Sequence, residues 1–324
     1  MQRRTFCGSL AALTLPAGLA WAADAYPSRP VRVIVPFAAG GGPDVMMRKI
    51  APGLGEALGQ AIVVENKVGA AGVLAAQYVA SQPADGYTLL HGAITQLVQK
   101  LLQPSLKFDP INDFVPITLT SAAPAVLTVA ADSPYKNLDQ LVAAAKAAPG
   151  KMNYSSGGIG TGAHLAGATL AALYGLQVTH IPLKGSVEIP TSLIRGDTQF
   201  AFPTAGTAVP QVKGGKLRAL AVTSGKRMTA LPDVPTLFEL TKDPLTVQES
   251  WSGFWAPAKT PPEVINKVFA AAIKAVRQPG VEEAATNAGN VIEVSESPAA
   301  YAAFMRSENA KWAEIVRKAG LATS

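Results

Sequence analysis

Apolar and polar positions alternate between two periodicities along this chain. Val31 to Phe37 is an apolar run interrupted only by Arg32, and Ala61 to Val64 and Tyr87 to Leu90 are shorter runs of the same type. Between the first two, Met47, Ile50, Leu54 and Leu58 recur every three or four residues, the spacing of one helical face. Pro52 falls inside that stretch and is expected to kink the helix. A second helix is predicted from about Val73 to Val79, giving a β-α-β-α-β unit. Apolar runs joined by helices indicate a parallel sheet covered on both faces.

A second set follows. Ala125 to Ala130 reads as a strand and Leu138 to Ala148 as a helix. Val178 to Ile181, Gln199 to Phe202 and Leu217 to Val222 read as further strands. The pattern then returns to helix at Glu263 to Arg277 and Pro298 to Lys318, where Tyr301, Phe304, Met305, Trp312, Ile315, Val316 and Ala319 form one stripe expected to be core. No internal repeat is visible. The whole reads as two α/β lobes, residues 23–123 with 250–324 and residues 124–249, with the chain crossing near Ala123 and again near Ser250.

The N-terminus differs from the rest. Arg3 and Arg4 precede an apolar run from Ser9 to Trp21 that ends in Ala20-Trp21-Ala22, the form of a cleaved secretory signal over residues 1–22. The paired arginines with Thr5 and Phe6 allow either twin-arginine or general secretory export. Cys7, the only cysteine, lies ahead of the apolar run, so the mature chain has no disulfide and no cysteine nucleophile. Loss of two arginines and no acid lowers the formal charge from +6 to +4. A mild, scattered positive charge suits a small anion better than nucleic acid.

Three glycine-rich turns carry the candidate chemistry. The first strand runs into Ala38-Ala39-Gly40-Gly41-Gly42-Pro43-Asp44 and then a helix. Glycine permits close backbone approach, and the free N–H groups of a first helical turn attract an anion. No P-loop lysine and no dinucleotide fingerprint accompanies it, so a carboxylate fits better than a pyrophosphate. Asp44 is read as a helix cap or a ligand contact. A second turn, Asn66 to Gly72, and a third, Ser155 to Gly162, repeat the design, the third with added hydroxyls. His164, in the first turn of the next helix, reads as a structural hydrogen-bonding group. His91 and His180 show no metal-ligand spacing to it, and no catalytic constellation or cofactor motif is readable.

Several segments together resemble the tripartite tricarboxylate transporter receptors, also called the Bordetella uptake gene or TctC-like family. They are YPSRPVRVIVPFAAGGGPD (26–44), VVENKVGAAG (63–72), ADGYTLL (84–90), SSGGIGTGAHLAG (155–167), GGKLRALAVTSGKR (214–227), LPDVPTLFE (231–239) and APAKTPPEVINK (256–267). The resemblance implies a type II periplasmic-binding-protein fold, a small carboxylate clamped between two lobes, no cofactor, a monomeric receptor in the periplasm, and delivery to a membrane transporter of two subunits. It places ligand contacts on Phe37, Ala38, Ala39, Gly40, Gly69 and Ala70, on Ser156, Gly158 and Thr161, and more loosely on Lys184, Gly185 and Thr204. A sensory receptor of the same fold is the alternative. Leu183 and Ser192 stand where the family usually has a tyrosine and an aspartate, which is expected to make the second lobe's side less polar.

Intact-mass measurement on the exported protein is expected to place its N-terminus at or within a few residues of Ala23. A mature chain retaining Met1 would overturn the signal assignment.

Overall fold

The computed structural model describes residues 26–287 and 289–321; the signal assigned to residues 1–22 lies outside them. The chain opens with β1 (Val31–Val35), α1 (Gly42–Leu58), β2 (Ile62–Asn66), α2 (Val73–Ala80), β3 (Thr88–Ala93), α3 (Ile94–Leu102) and β4 (Phe114–Pro124). It continues with β5 (Val126–Ala130), α4 (Leu138–Ala147), β6 (Met152–Ser156), α5 (Gly162–Tyr174), β7 (Val178–Pro182), α6 (Ile189–Ile194), β8 (Phe200–Ala201), α7 (Ala205–Lys213), β9 (Leu217–Val222) and α8 (Leu237–Thr241). It closes with β10 (Glu249–Pro257), α9 (Pro262–Val276), α10 (Pro279–Asn287), β11 (Val291–Ile292) and α11 (Pro298–Lys318).

These strands form two sheets, ordered β11-β4-β10-β3-β1-β2 and β7-β6-β8-β5-β9. In both, a parallel set is completed by a strand running the other way: β10 lies antiparallel between β3 and β4, and β5 antiparallel between β8 and β9. If β6, β7, β8, β5 and β9 are matched with β1, β2, β3, β10 and β4, the two windings coincide. The repeat exists in topology although none is visible in sequence.

Strand alternation fills two apolar layers around the larger sheet. Val31, Val33, Val35 and Phe254 face α1, α9 and α10, while Ile34, Leu90 and Trp255 face α2, α3 and α11. Met47, Ile50, Leu54 and Leu58 all lie in the first layer. Helix α1 runs through Pro52, which sits on its exposed side where water can replace the lost internal hydrogen bond. The C-terminal aromatics Tyr301 and Trp312 are core. Ser192 and Leu183 both take part in packing. Ser192 is buried and bonds Thr198, which bonds Ser155, and Leu183 packs on the core of the second unit. Ser192 therefore does not set the polarity of a cleft surface.

The two sheets are joined where β4 ends and β10 begins. Glu249 pairs with Pro124, and Val126 opens β5 immediately after, so the outgoing and returning segments run side by side. Glu249 shares this corner with Glu293 and Glu308. Burial pushes the Glu249 carboxyl up and Glu293 pushes it further, against the opposing pull of Lys311. Burial and then Glu308 raise Glu293 likewise. A carboxyl whose pKa rises on folding favours the protonated fold, so its contribution is whole below the unfolded value near 4.5 and is lost as pH rises through the folded value. Glu249→Gln and Glu293→Gln are therefore expected to melt a few degrees above the wild type at pH 8, with the advantage gone at pH 4. Equal melting temperatures at both pH values would show that the corner stores no charge repulsion.

Candidate ligand-binding site

In open sheets of this kind, ligands gather at the carboxyl ends of the strands. The loop after β1 is held there by Asp44. This residue stands in the first turn of α1 and is not its cap, because Gly41 occupies that position in an extended conformation. The Asp44 carboxylate is buried and accepts from Gly40 N at 2.8 Å, Asn66 Nδ2 at 2.8 Å and Arg48 Nε at 3.1 Å. Burial raises its pKa, but the hydrogen bonds from Gly40, Arg48 and Asn66 outweigh it and the net shift is downward. Asn66 also donates to Phe37 O, tying β2 to the loop after β1. Gly40 N–H and Gly41 N–H are thus used internally. Those of Ala38 and Ala39, both exposed, donate to no acceptor among the described residues.

The loop after β2 is left-handed over four residues. Gly69, Ala70, Ala71 and Gly72 have φ of 132°, 46°, 52° and 86°. Each alanine costs roughly 1–2 kcal/mol in that region, so the strain is concentrated where the N–H groups of Gly69, Ala70 and Ala71 find no acceptor within the described protein. Successive free N–H groups in such a turn form an anion-binding concavity. Gly72 is required twice over. Its φ is positive, and a Cβ there would lie 2.2 Å from Gln96 Nε2 and 2.9 Å from Pro36 Cβ.

In the second unit the loop after β6 is organised by its own side chains. Ser156 Oγ lies 2.7 Å from His180 Nε2, and Gly158 N donates to Ser156 Oγ. Thr161 Oγ1 donates to Gly158 O and caps α5. Gly160 N donates to His164 Nδ1 at 3.1 Å, which fixes the proton of that ring on Nε2. The rings of His164 and His180 stack with centroids 4.1 Å apart. Burial pushes the first down to about 4; burial and then His164 push the second down to about 3. Both are neutral at pH 7. Gly157 presses on the backbone of Gly185 and Ser186, so the loop after β7 joins this group. Lys184 is exposed, with its N–H directed to Glu188. Thr204 stands apart at the start of α7, bridged to Ala125 at the crossover.

The structure thus draws Phe37, Ala38, Ala39, Gly40 and Asp44 into one group, Gly69 and Ala70 into a second, and Ser156, Gly158, Thr161, His164 and Gly185 into a third. Residues that sequence patterning did not single out join them. Gln96 seats the loop after β2, Gln99 Nε2 donates to Ile159 O at 2.7 Å, and Ser250 fills the space beside Gly162. The only signal for the glutamines was their spacing of three in the stretch Ile94 to Leu102; Ser250 had none. His91 lies elsewhere, buried in the larger sheet against Thr120. Among the described residues no group of three or more His, Cys, Asp or Glu is arranged to hold a metal ion.

Residues 46–321 match the family model described as the tripartite tricarboxylate transporter family receptor. The chain is similar to the periplasmic binding protein BugD, with 32% identity over 92% of this chain and 100% of that one and a TM-score of 0.83. It is also similar to Rpa4515 of R. palustris solved with adipate (29%, 91% and 98%, TM-score 0.84) and to MatC of Rhodopseudomonas palustris with bound malate (29%, 90% and 100%, TM-score 0.82).

Gly40 and Gly72 both have positive φ, but a Cβ on Gly40 would meet nothing within 4 Å. Gly40→Ala is expected to cost only backbone strain, of about 1 kcal/mol. Gly72→Ala adds overpacking against Gln96 and Pro36, about 1–3 kcal/mol more. Denaturant unfolding of the two variants checks this, and equal losses would mean that the Gln96 contact yields freely.

Proposed function

The chain belongs to the receptor family of the tripartite tricarboxylate transporters, and from that premise we propose that it captures a small carboxylate between its two α/β units and passes it to a two-subunit membrane transporter. The observation that carries this reading is that the loops after β1 and β2 leave the N–H groups of Ala38, Ala39, Gly69 and Ala70 free among the described residues at the carboxyl end of the first sheet, while α3 brings the loop after β6 of the second unit against the loop after β2. The adipate and malate seen in similar proteins support the ligand class. Residues 23–123 with 250–324 act as one lobe and residues 124–249 as the other, hinged where β4 and β10 run together. The work is done in the periplasm, after removal of the signal.

Recognition starts with N–H dipoles. Ala38 and Ala39 supply free donors after β1, and Gly69 and Ala70 supply them after β2. Asp44 acts behind the loop, holding Gly40 so that its neighbours point outward, and Phe37 gives the loop an apolar footing. On the other side Ser156, Gly158, Thr161 and Gly185 form the facing wall, with Lys184 and Thr204 at its margins. His164 sets the shape of that wall by accepting from Gly160. With His164 and His180 both neutral, attraction for the anion comes from oriented amides rather than from a buried cation. Such a site binds and releases: the Ser156–His180 pair is spent on shaping the loop, with Ser156 Oγ donating to Gly158 O, and the reading is of a receptor rather than a catalyst.

A molecule with a carboxylate at one end and a second polar group at the other engages both walls, whereas a monocarboxylate of equal length engages one. Ligand at ~1,000 times its dissociation constant stabilises a folded protein by ~4 kcal/mol, and each kcal/mol moves the midpoint by roughly 2–4 °C in domains of this size. Adipate is therefore expected to raise the melting temperature by about ten degrees at saturation and hexanoate by far less. Equal shifts from the two acids would mean that one lobe alone supplies recognition.

A further inference from the structure

Helix α3 presents two glutamines three residues apart, and they reach loops of different units. Gln96 Nε2 lies 3.4 Å from Ala71 O in the loop after β2, and Gln99 Nε2 donates to Ile159 O at 2.7 Å in the loop after β6. Residues three apart share one side of a helix. Both side chains are buried, at 0% and 2% exposure. Each amide also occupies room that only a glycine leaves. A Cβ on Gly72 would fall 2.2 Å from Gln96 Nε2, and one on Gly160 would fall 2.4 Å from Gln99 Nε2. A single helix is thus matched, glutamine to glycine, to one loop in each unit.

The two attachments differ in kind. Helix α3 is firmly part of the first unit through Leu97, Val98 and Leu102, and Gln96 Oε1 accepts from Ala93 N to close its first turn. The Gln99 bond instead crosses between units. Its acceptor loop is otherwise tied within the second unit, to Ser156 and His164. The side chain of Ile159 is half exposed and adds little apolar burial to the loop itself, although Leu165 of α5 is buried in the same cluster as Leu97, Val98 and Leu102. We propose that Gln99 is an inter-lobe latch. Its amide holds the second-lobe loop against α3 when the lobes are together, while Gln96 positions the first-lobe loop from the same helix. Separation of the lobes must break the Gln99 bond, so this residue sets how long a bound carboxylate is retained. The inference rests on the reading that the ligand lies between the lobes.

Gln99→Met removes the donor at similar volume. An intramolecular hydrogen bond contributes about 0.5–1.5 kcal/mol net, or roughly two- to twelvefold. Stopped-flow tryptophan fluorescence with adipate as probe is expected to show dissociation faster by about that factor, with association little changed. In the ligand-free protein, hydrogen exchange of the amides of residues 157–161 is expected to quicken while that of α3 does not. Gln99→Glu, which sets a carboxylate against the Ile159 carbonyl, is expected to release adipate faster still. Methionine preserves packing, so a merely space-filling role predicts no change in either measurement, and that result overturns the latch while leaving the functional reading intact. If the wild type binds no small mono- or dicarboxylate, the functional reading falls. The latch is then judged by exchange alone: acceleration in Gln99→Met supports it and identical exchange overturns it.

Discussion

The insertion of β10 between β3 and β4 is the constraint on which the rest of the structure depends. This strand pairs with β4 from Glu249↔Pro124 to Pro257↔Phe114 and with β3 through Ser252↔Ala93 and its neighbours, so it makes one sheet out of two parts. Its fit is tight. A Cβ on Gly253 would lie 2.4 Å from Thr118 O and from the Tyr301 hydroxyl, and one on Gly92 would enter the Trp255 ring. The same strand begins beside the end of β4, which brings the two crossings together. On the proposed division into lobes, two adjacent crossings would act as one hinge, whereas two distant ones would act as a brace.

Strands β1, β2, β3, β5, β7, β8 and β9 were legible because short apolar runs separated by amphipathic helices leave strong periodicities. The α9 and α11 helices and β9 fall where their apolar spacing puts them. Helix α3 was not, because it follows β3 directly with no intervening turn and is capped by its own Gln96. The matching topology of the two sheets was also hidden, since winding order is kept by connections rather than by residues. Among candidate site residues, the glycine-rich turns could be read from local sequence, but their internal bonding could not. Asp44 looked like a cap and is a hub, because its partner Asn66 comes from another strand. Ser192 looked like a cleft position and is core.

A common design joins the three loops. Polar side chains are spent on shaping the backbone, as Asp44 does for Gly40, Gln96 for Ala71 and His164 for Gly160, and in the loops after β1 and β2 main-chain amides are left without an acceptor among the described residues. Recognition by amides depends on where the backbone is held, so tolerance to substitution should be lowest at residues that never face the ligand. Desolvation keeps the two stacked imidazoles of the second unit neutral, and the wall they support does not change charge near neutral pH.

The late arrival of β10 bears on how the polypeptide is made. Strands β1 to β3 emerge early, yet the partner of Ala93 is Ser252, and everything from β5 to β9 must be synthesised first. At roughly 5–20 residues per second, that delay is on the order of ten seconds. During it β3 has an open, apolar edge, the kind that pairs with the wrong neighbour if left unguarded. Long-range pairing of this sort also folds slowly. The first sheet consequently cannot be completed until most of the chain has been made.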